Sequence, residues 1–207
     1  MREEAQRIAG RLEGTLRIPD GDPSGIVVIA HPLPTHGGTM RNPLMATLAR
    51  AAADRGWYAL RFNFRGVGES AGEWSHGREE PADLGDAVAH ARRIAPGLPL
   101  GIVGFSFGAR TAARWAASGG KADAFALLGL PIRGADGRRH QEVPPVPRAG
   151  VVINGENDEF GTPEELRHVY PSATVIAIPG VDHFFTGKRD EVARIAMERL
   201  QLAFAPS

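Results

Sequence analysis

Short apolar runs alternate with longer segments of helical periodicity, and this alternation is the feature that most constrains the fold. The run "IVVIA", residues 26–30, is short and apolar throughout, which is typical of a strand that is buried on both faces. Strands that alternate with helices predict a mostly parallel sheet with helices on both faces. The other strand-like runs are "WYALRFNF", "LPLGIVG", "AFALLGL", "GVVIN" and "ATVIAI".

The segments between these runs carry helix signals. Asn42 and Pro43 predict a helix start, because asparagine is a favoured N-cap and proline suits the first helical position. Further helices are predicted at "PADLGDAVAHARRIAPG", "GARTAARWAASGG", near "TPEELRHVY" and at "RDEVARIAMERLQLAF".

The N-terminal part differs from this alternation of strands and helices. The stretch "RIAGRLEGTLRIPDGDPSG" holds two short runs of alternating apolar and polar residues, separated by Gly10, which predicts an antiparallel hairpin at a sheet edge.

Length and charge limit the class of protein. The chain has 207 residues, which fits a single domain over 1–207. Lys+Arg and Asp+Glu both number 24, so no net basic field exists to attract nucleic acid or an anionic membrane. We therefore expect a small, roughly neutral substrate or a modest protein partner, with no nucleic-acid or membrane partner.

Cysteine is absent, which removes disulfides, thiolate nucleophiles and cysteine zinc sites. The start "MREEAQRIAG" lacks the apolar region of a signal peptide. No apolar run approaches the roughly 20 residues that a membrane span needs. These features predict a cytoplasmic protein.

One loop carries a motif for nucleophilic catalysis. "GFSFG", Gly104 to Gly108, lies between the strand "LPLGIVG" and a helix, which is the context of a G-x-S-x-G nucleophile elbow. Such a turn holds Ser106 in a strained conformation above the sheet, while small residues at 104 and 108 let strand and helix approach closely. The helix that follows favours developing negative charge at its N-terminus.

A serine nucleophile needs an acid and a histidine later in the chain, each after a strand. Asp158 follows the strand in "VVINGENDEF", and His183 follows the next strand in "ATVIAIPGVDHFF". Asp158 lies on the turn where its carboxylate could accept the histidine Nδ1 proton. Glu156, Asp158 and Glu159 could all be solvated loop charges or the N-cap of the coming helix, but position favours Asp158. Asp182 is less suitable because sequence neighbours rarely face each other.

Taken together, these motifs resemble those of the α/β-hydrolases, and more closely the small lidless bacterial hydrolases with a His-Pro…Gly-Gly-(Thr/Ser)-Met loop. The matching stretches, in family order, are "HPLPTHGGTM", "RFNFRGVGESAGEW", "GFSFG", "GENDEF" and "DHFF". The resemblance implies Ser106 as nucleophile, Asp158 as orienting acid and His183 as base. One departure follows the aromatic residue of "FNFRGVGESAGEW": the next stretch, "SHGREEPAD", lacks the acidic residue that is common in the family directly after that aromatic position, and the roles of Ser75 and His76 stay open.

The resemblance also assigns the loop "HPLPTHGGTM". In this fold, one oxyanion-hole N–H comes from this loop and the other from the residue after the nucleophile, here Phe107. The prolines of the loop have no N–H, so Leu33 is the expected donor. We expect His31 to brace the loop by a hydrogen bond and His36 to be exposed or to line the pocket. A metal site is not indicated, because the histidine spacing is unusual and no third ligand is present.

A second motif, "GVGESA" from Gly66 to Ala71, satisfies the dinucleotide fingerprint G-x-G-x-x-A. Its context is wrong, because no helix opens at the glycines and no acid ends a strand about 20 residues later. A loop that shapes the substrate pocket is the better interpretation, with Arg65, Trp74 and Ser75 as candidate wall residues. No cofactor is predicted.

The sequence therefore predicts a lidless serine hydrolase of the α/β-hydrolase fold, acting on a small-molecule or acylated substrate. The reaction would be hydrolysis of an ester, thioester or amide through an acyl-enzyme, with a short or exposed acyl ester preferred. A peptidase or thioesterase on the same residues is the main alternative. A non-catalytic binding protein that keeps the fold is a weaker one.

Overall fold

The computed structural model describes residues 1–134 and 136–204. Within these residues, eight strands form one sheet in the order β1-β2-β4-β3-β5-β6-β7-β8. Only the β1–β2 and β2–β4 pairs are antiparallel, and the pairs from β4 to β8 are parallel. The strands are β1 (Arg2–Ile8), β2 (Leu12–Ile18), β3 (Gly25–Ala30), β4 (Trp57–Phe62), β5 (Leu100–Phe105), β6 (Ala124–Leu128), β7 (Gly150–Gly155) and β8 (Thr174–Ile178).

Helices connect most of the parallel strands, as the sequence predicts, and they lie on both faces of the sheet. Helices α2 and α3 pack on one face, and α1 and α5 pack on the other. The helices are α1 (Pro43–Ala53), α2 (Glu80–Ile94), α3 (Phe107–Ala117), α4 (Pro163–Val169) and α5 (Arg189–Phe204).

The helix starts follow local chemistry. The Asn42 side chain accepts a hydrogen bond from the Leu44 N–H, and Pro43 is the first residue of α1, which confirms the predicted start. At α4, Thr162 and Glu165 form a capping box, in which each side chain accepts from the other residue's N–H. Both caps satisfy N–H groups that a helix start leaves without partners.

The middle of the sheet is its most buried part. Strands β3, β5 and β6 are buried at every position, because helices cover both of their faces. The N-terminal hairpin is confirmed: β1 is the edge strand and is mostly exposed. Strands β3 to β8 are parallel, so their carboxyl ends lie side by side along one border of the sheet. This border, called the sheet edge below, is where the functional loops lie.

The connection between β6 and β7 has no helix among its described residues, so no lid domain is inserted there. Among the described helices, none combines the length and apolar character needed to cross a bilayer.

Candidate active site

The turn after β5 has an unusual backbone at Ser106. This residue has φ 54° and ψ −112°, a backbone conformation that residues other than glycine rarely adopt. The Ser106 N–H donates to the Leu128 carbonyl at the end of β6, with 2.8 Å between nitrogen and oxygen. The strained turn that the motif predicts is thus present, and a neighbouring strand holds it.

The glycines that flank this turn permit close packing. A Cβ at Gly108 would lie 2.2 Å from the Ala30 carbonyl oxygen of β3, and one at Gly104 would lie 2.4 Å from the Gly108 oxygen. Both distances are far below a permitted contact, so neither position tolerates a larger residue without a shift of the backbone. These contacts hold the start of α3 against the sheet.

Three side chains from separate loops form two hydrogen bonds in series. The Ser106 Oγ and the His183 Nε2 are 2.9 Å apart, and the His183 Nδ1 and the Asp158 Oδ2 are also 2.9 Å apart. Asp158 is fully buried, His183 is 3% exposed and Ser106 is half-buried. The structure therefore brings the three residues together, with the serine hydroxyl nearest to solvent.

Asp158 is held by partners from its own turn. Its Oδ1 accepts from the Phe160 N–H at 2.9 Å, and its Oδ2 also accepts from the Asn154 side-chain amide at 3.1 Å. These bonds compensate the burial of the carboxylate and fix its direction. Asn154 lies at the end of β7 and was not singled out by the sequence, although its position four residues before Asp158 was a usable signal.

The competing acids have other partners. Glu156 accepts from the Gly180 N–H at 2.8 Å on the exposed side of the turn. Asp182 accepts from the Phe184 and Thr186 N–H groups and so shapes the loop that carries the histidine. Burial alone would raise the pKa of Asp182, but these hydrogen bonds outweigh it and lower the pKa.

Aromatic rings surround the His183 imidazole. The ring centroids of Phe160, Phe105 and Phe184 lie 4.6, 5.3 and 5.3 Å from that of the histidine. Gly129 leaves room for the ring, since a Cβ there would come within 3.1 Å of it. The imidazole therefore has a fixed orientation, with one nitrogen toward Asp158 and the other toward Ser106.

Two backbone N–H groups are free near Ser106. In the described part of the chain, neither the Leu33 nor the Phe107 N–H has an intramolecular acceptor. Leu33 precedes a 3-10 turn over Pro34–His36, and the loop then folds back so closely that a Cβ at Gly38 would lie 2.1 Å from the Pro32 oxygen. Leu33 and Phe107 both line the cavity that contains Ser106.

His31 braces this loop from within the core. It is fully buried, its Nε2 accepts from the Phe64 N–H at 3.2 Å, and its Nδ1 lies 2.7 Å from the Pro32 oxygen. These partners require a neutral ring with the proton on Nδ1. Burial lowers the pKa of His31 to about 4, although the bond to Pro32 opposes the shift. Both ring nitrogens are thus occupied, whereas His36 lies at the cavity wall.

The glycine loop after β4 folds around an acidic side chain of β2. The Glu13 Oε2 accepts from the Glu69 N–H at 2.9 Å, and a Cβ at Gly68 would lie 2.3 Å from the same oxygen. Helix α2 begins at Glu80, well after the glycines. The loop therefore binds a carboxylate of its own chain where a dinucleotide loop would present free N–H groups.

A cavity of about 340 Å³ opens beside Ser106, at the low end of the size range of ligand sites. Its wall combines aromatic rings with polar groups. The described residues that line it include Trp74, His76, Phe107, Pro131, Phe160 and Phe184, together with the Leu33 loop, Arg110, Arg114 and Arg133.

The prediction of Trp74 as a wall residue agrees with this cavity, but those of Arg65 and Ser75 are wrong. Both side chains turn toward the first turn of α2, whose carboxylates are fully buried and need donors. The Arg65 guanidinium binds Asp83, with 2.8 Å from Nη2 to Oδ1. The Ser75 hydroxyl donates to Glu80 at 2.6 Å.

The arginines of the wall are not among the residues predicted from the sequence. Arg110 and Arg114 lie four and eight residues after Ser106 on the amphipathic helix α3. Residues at that spacing share one helix face, so the pattern "SFGARTAAR" held the signal.

Comparisons with known proteins agree with the fold. A family model described as an alpha/beta hydrolase domain matches residues 23–203. The chain is similar to a solved α/β serine hydrolase without a lid from Xanthomonas campestris, with 28% identity and a TM-score of 0.85, covering 100% of this chain and 97% of that one. It is also similar to a solved α-β serine hydrolase homologue from Coxiella burnetii, with 29% identity and a TM-score of 0.79, covering 96% and 97%.

A sequence relative is an uncharacterized protein of Rickettsia prowazekii, 27% identical over 195 residues, which are 89% of this chain and 82% of that protein. The two solved structures and this relative each align along most of the present chain. The similarity therefore extends from the sheet to the loops that carry Ser106, Asp158 and His183.

Proposed function

The chain belongs to the α/β-hydrolase family, and we propose that it is a serine hydrolase that cleaves acyl esters. Ser106 is the nucleophile, His183 the general base and Asp158 the acid that orients the histidine. The observation that carries this proposal is the pair of 2.9 Å hydrogen bonds from Ser106 through His183 to Asp158 at the open edge of the sheet. Serine, histidine and aspartate in this arrangement are suited to acyl transfer.

The first half of the reaction forms an acyl-enzyme. With the Nδ1 proton directed to Asp158, the His183 Nε2 is free to take the proton of the Ser106 hydroxyl. The serine oxygen then bonds to the carbonyl carbon. As the tetrahedral intermediate collapses, the bond to the alcohol oxygen breaks and the imidazolium returns its proton to the leaving alcohol.

The second half repeats these steps with water. His183 removes a proton from the water, and the resulting hydroxide attacks the acyl carbon. The bond to the Ser106 oxygen then breaks, the serine regains a proton from the imidazolium, and the carboxylic acid leaves. One water is consumed and the enzyme returns to its starting state.

We assign stabilisation of the oxyanion to the N–H groups of Leu33 and Phe107. The supporting observations are their positions on the wall of the cavity and their lack of acceptors in the described chain. Phe107 is the first residue of α3, so its N–H is one of those that a helix leaves free at its start. Fixed donors of this kind act where negative charge develops.

The open cavity favours small acylated substrates. No lid domain closes over it within residues 1–134 and 136–204, and its volume of about 340 Å³ offers limited apolar surface to a long chain. We therefore propose a short acyl group, or an acyl group exposed on a larger molecule, as the part of the substrate bound here.

A panel of p-nitrophenyl esters, acyl thioesters and aminoacyl amides tests the proposal. Esters should be hydrolysed, and Ser106→Ala should lower turnover by roughly 10⁴ to 10⁶. Ser118→Ala, which changes an exposed serine just after the same helix, is the matched control and should keep wild-type rates. A fluorophosphonate should label the wild type and the control at Ser106.

Unchanged activity in Ser106→Ala would end the serine-hydrolase proposal. Faster turnover of thioesters or amides than of esters would keep the three residues in their roles and move the substrate class to that of a thioesterase or peptidase.

A further inference from the structure

The cavity wall has an uneven charge distribution. Arg110, Arg114 and Arg133 line it, whereas no carboxylate does so among residues 1–134 and 136–204. The formal net charge of the chain is zero, so this excess is local to the site. A cavity lined by charges of one sign attracts ligands of the other sign.

Two of these arginines already have carboxylate partners outside the wall. Arg114 binds Glu142, with 2.8 Å from Nη2 to Oε2, and it also donates to the Gly77 oxygen. Arg133 binds Glu165 and the Glu159 carbonyl. Their charges are therefore largely compensated by the chain itself.

Arg110 differs from both. Its side chain makes one hydrogen bond within the described chain, from Nη2 to the Glu142 backbone oxygen at 2.9 Å, and its buried Nε has no partner there. Burial and then the neighbouring Arg114 lower the pKa of Arg110, although the guanidinium stays charged at neutral pH. Burial is the main cause that lowers the pKa of His140, and the nearby charge of Arg110 lowers that pKa further. The Arg110 guanidinium therefore lies at the cavity wall with donors that are unused within the described chain. The nearby Glu142 carboxylate, which acts to raise the pKa of Arg110, is hydrogen-bonded to Arg114 instead.

The position of Arg110 relates it to the reacting serine. It lies one turn of α3 after Ser106, and its N–H donates to the Ser106 carbonyl at 3.0 Å. One helical turn is about 5.4 Å along the axis. The guanidinium can thus reach a group that is several bonds away from the scissile carbonyl, while the reacting atoms lie at Ser106.

We propose that Arg110 binds a carboxylate carried by the substrate, so that the site prefers esters with a negative charge at a distance from the scissile bond. This inference rests on the proposed ester hydrolysis and makes its substrate class more specific. It departs from the expectation of a roughly neutral substrate, which followed from net charge alone. A guanidinium suits a carboxylate because its donors form a planar fork.

Two pairs of isosteric substrates test the preference and locate the charge. Monoethyl adipate and its carboxamide analogue place the difference in the acyl part. The para-carboxyphenyl and para-carbamoylphenyl butanoates place it in the leaving group. In at least one pair, the carboxylate should have a kcat/KM higher by about 10- to 100-fold, mainly through a lower KM, because the contact is remote from the reacting atoms.

Substitution assigns the preference to one side chain. Arg110→Gln should remove most of the ratio between carboxylate and carboxamide, and Arg110→Lys should restore part of it. Arg199→Gln, which removes an exposed arginine of α5 outside the cavity wall, should leave the ratio unchanged. Fluorophosphonate labelling of each variant at Ser106 shows that the site is folded.

The outcomes separate this inference from the function on which it rests. If both pairs are hydrolysed in a Ser106-dependent manner at equal rates, or if Arg110→Gln keeps the ratio, the Arg110 assignment is wrong and ester hydrolysis stands. If no ester is hydrolysed by the wild type, the proposed function itself is wrong.

Discussion

The buried His31 should make folding stability depend on pH in a measurable way. Its ring has no solvent exposure, and its two partners require the neutral form. Burial moves its pKa from 6.5 to about 4. Between these values the unfolded chain binds a proton that the folded chain does not, so the unfolded state gains stability as the pH falls.

The size of the effect follows from the two pKa values. His31 contributes its full stabilisation above the unfolded pKa of 6.5, and this is lost as the pH falls toward about 4. The slope approaches about 1.4 kcal/mol per pH unit between these limits. Between about pH 7 and about pH 5, the free energy of unfolding should therefore fall by about 1.8 kcal/mol through this residue.

Urea unfolding of wild type and His31→Gln at these two pH values isolates the contribution. The variant has no titrating ring, so its loss of stability should be smaller than that of the wild type by about 1.8 kcal/mol. Any baseline destabilisation from an imperfect hydrogen bond cancels in this difference. His168→Gln removes an exposed histidine and is the control. An identical pH dependence in His31→Gln and wild type would refute the argument that the fold holds His31 neutral.

Three further predictions concern the proposed reaction. Asp158→Asn should lower kcat by about 10³ to 10⁴, because the amide cannot hold the histidine in the same tautomer. If Glu156→Gln or Asp182→Asn lowers kcat more in the same ester assay, the acid is assigned wrongly. Leu33→Pro, which deletes the N–H, should cost roughly 10² to 10³ in kcat, whereas Leu33→Ala should mainly change substrate preference; a folded Leu33→Pro enzyme with full kcat would place the donor elsewhere in the loop. Activity on p-nitrophenyl esters should decline with acyl length, because each added methylene gains little at an open site, and a preference for chains of about twelve carbons over about four would contradict this.

The fold could be predicted from the sequence because its signals are local. The strands "IVVIA" and "AFALLGL" are apolar throughout, and Asn42 with Pro43 starts α1 at the expected residue. The position of Ser106 also follows from local pattern, since the motif "GFSFG" lies between a buried strand and a helix. Its meeting with Asp158 and His183 follows from topology, because parallel strands bring their carboxyl ends to one edge.

The walls of the cavity depend on long-range contacts and were harder to predict. Arg65 and Ser75 follow the fourth strand at positions that suggest a wall, but the buried carboxylates of Glu80 and Asp83 bind them instead. Net charge likewise gave no sign of the positive wall, because it averages over the whole surface. The direction of Arg110 is set by how α3 packs against the sheet.

The strained backbone at Ser106 has an evolutionary consequence. The backbone strain of a non-glycine residue at φ 54° costs about 1–3 kcal/mol of folding stability, and glycine would remove most of it. Glycine also makes the unfolded chain more flexible, but that entropic cost is smaller than the strain removed. Ser106→Gly should therefore yield an inactive protein that is more stable than the parent. Natural selection for turnover must keep serine against this tendency, so in gene copies released from that selection, glycine at position 106 would mark those that no longer work.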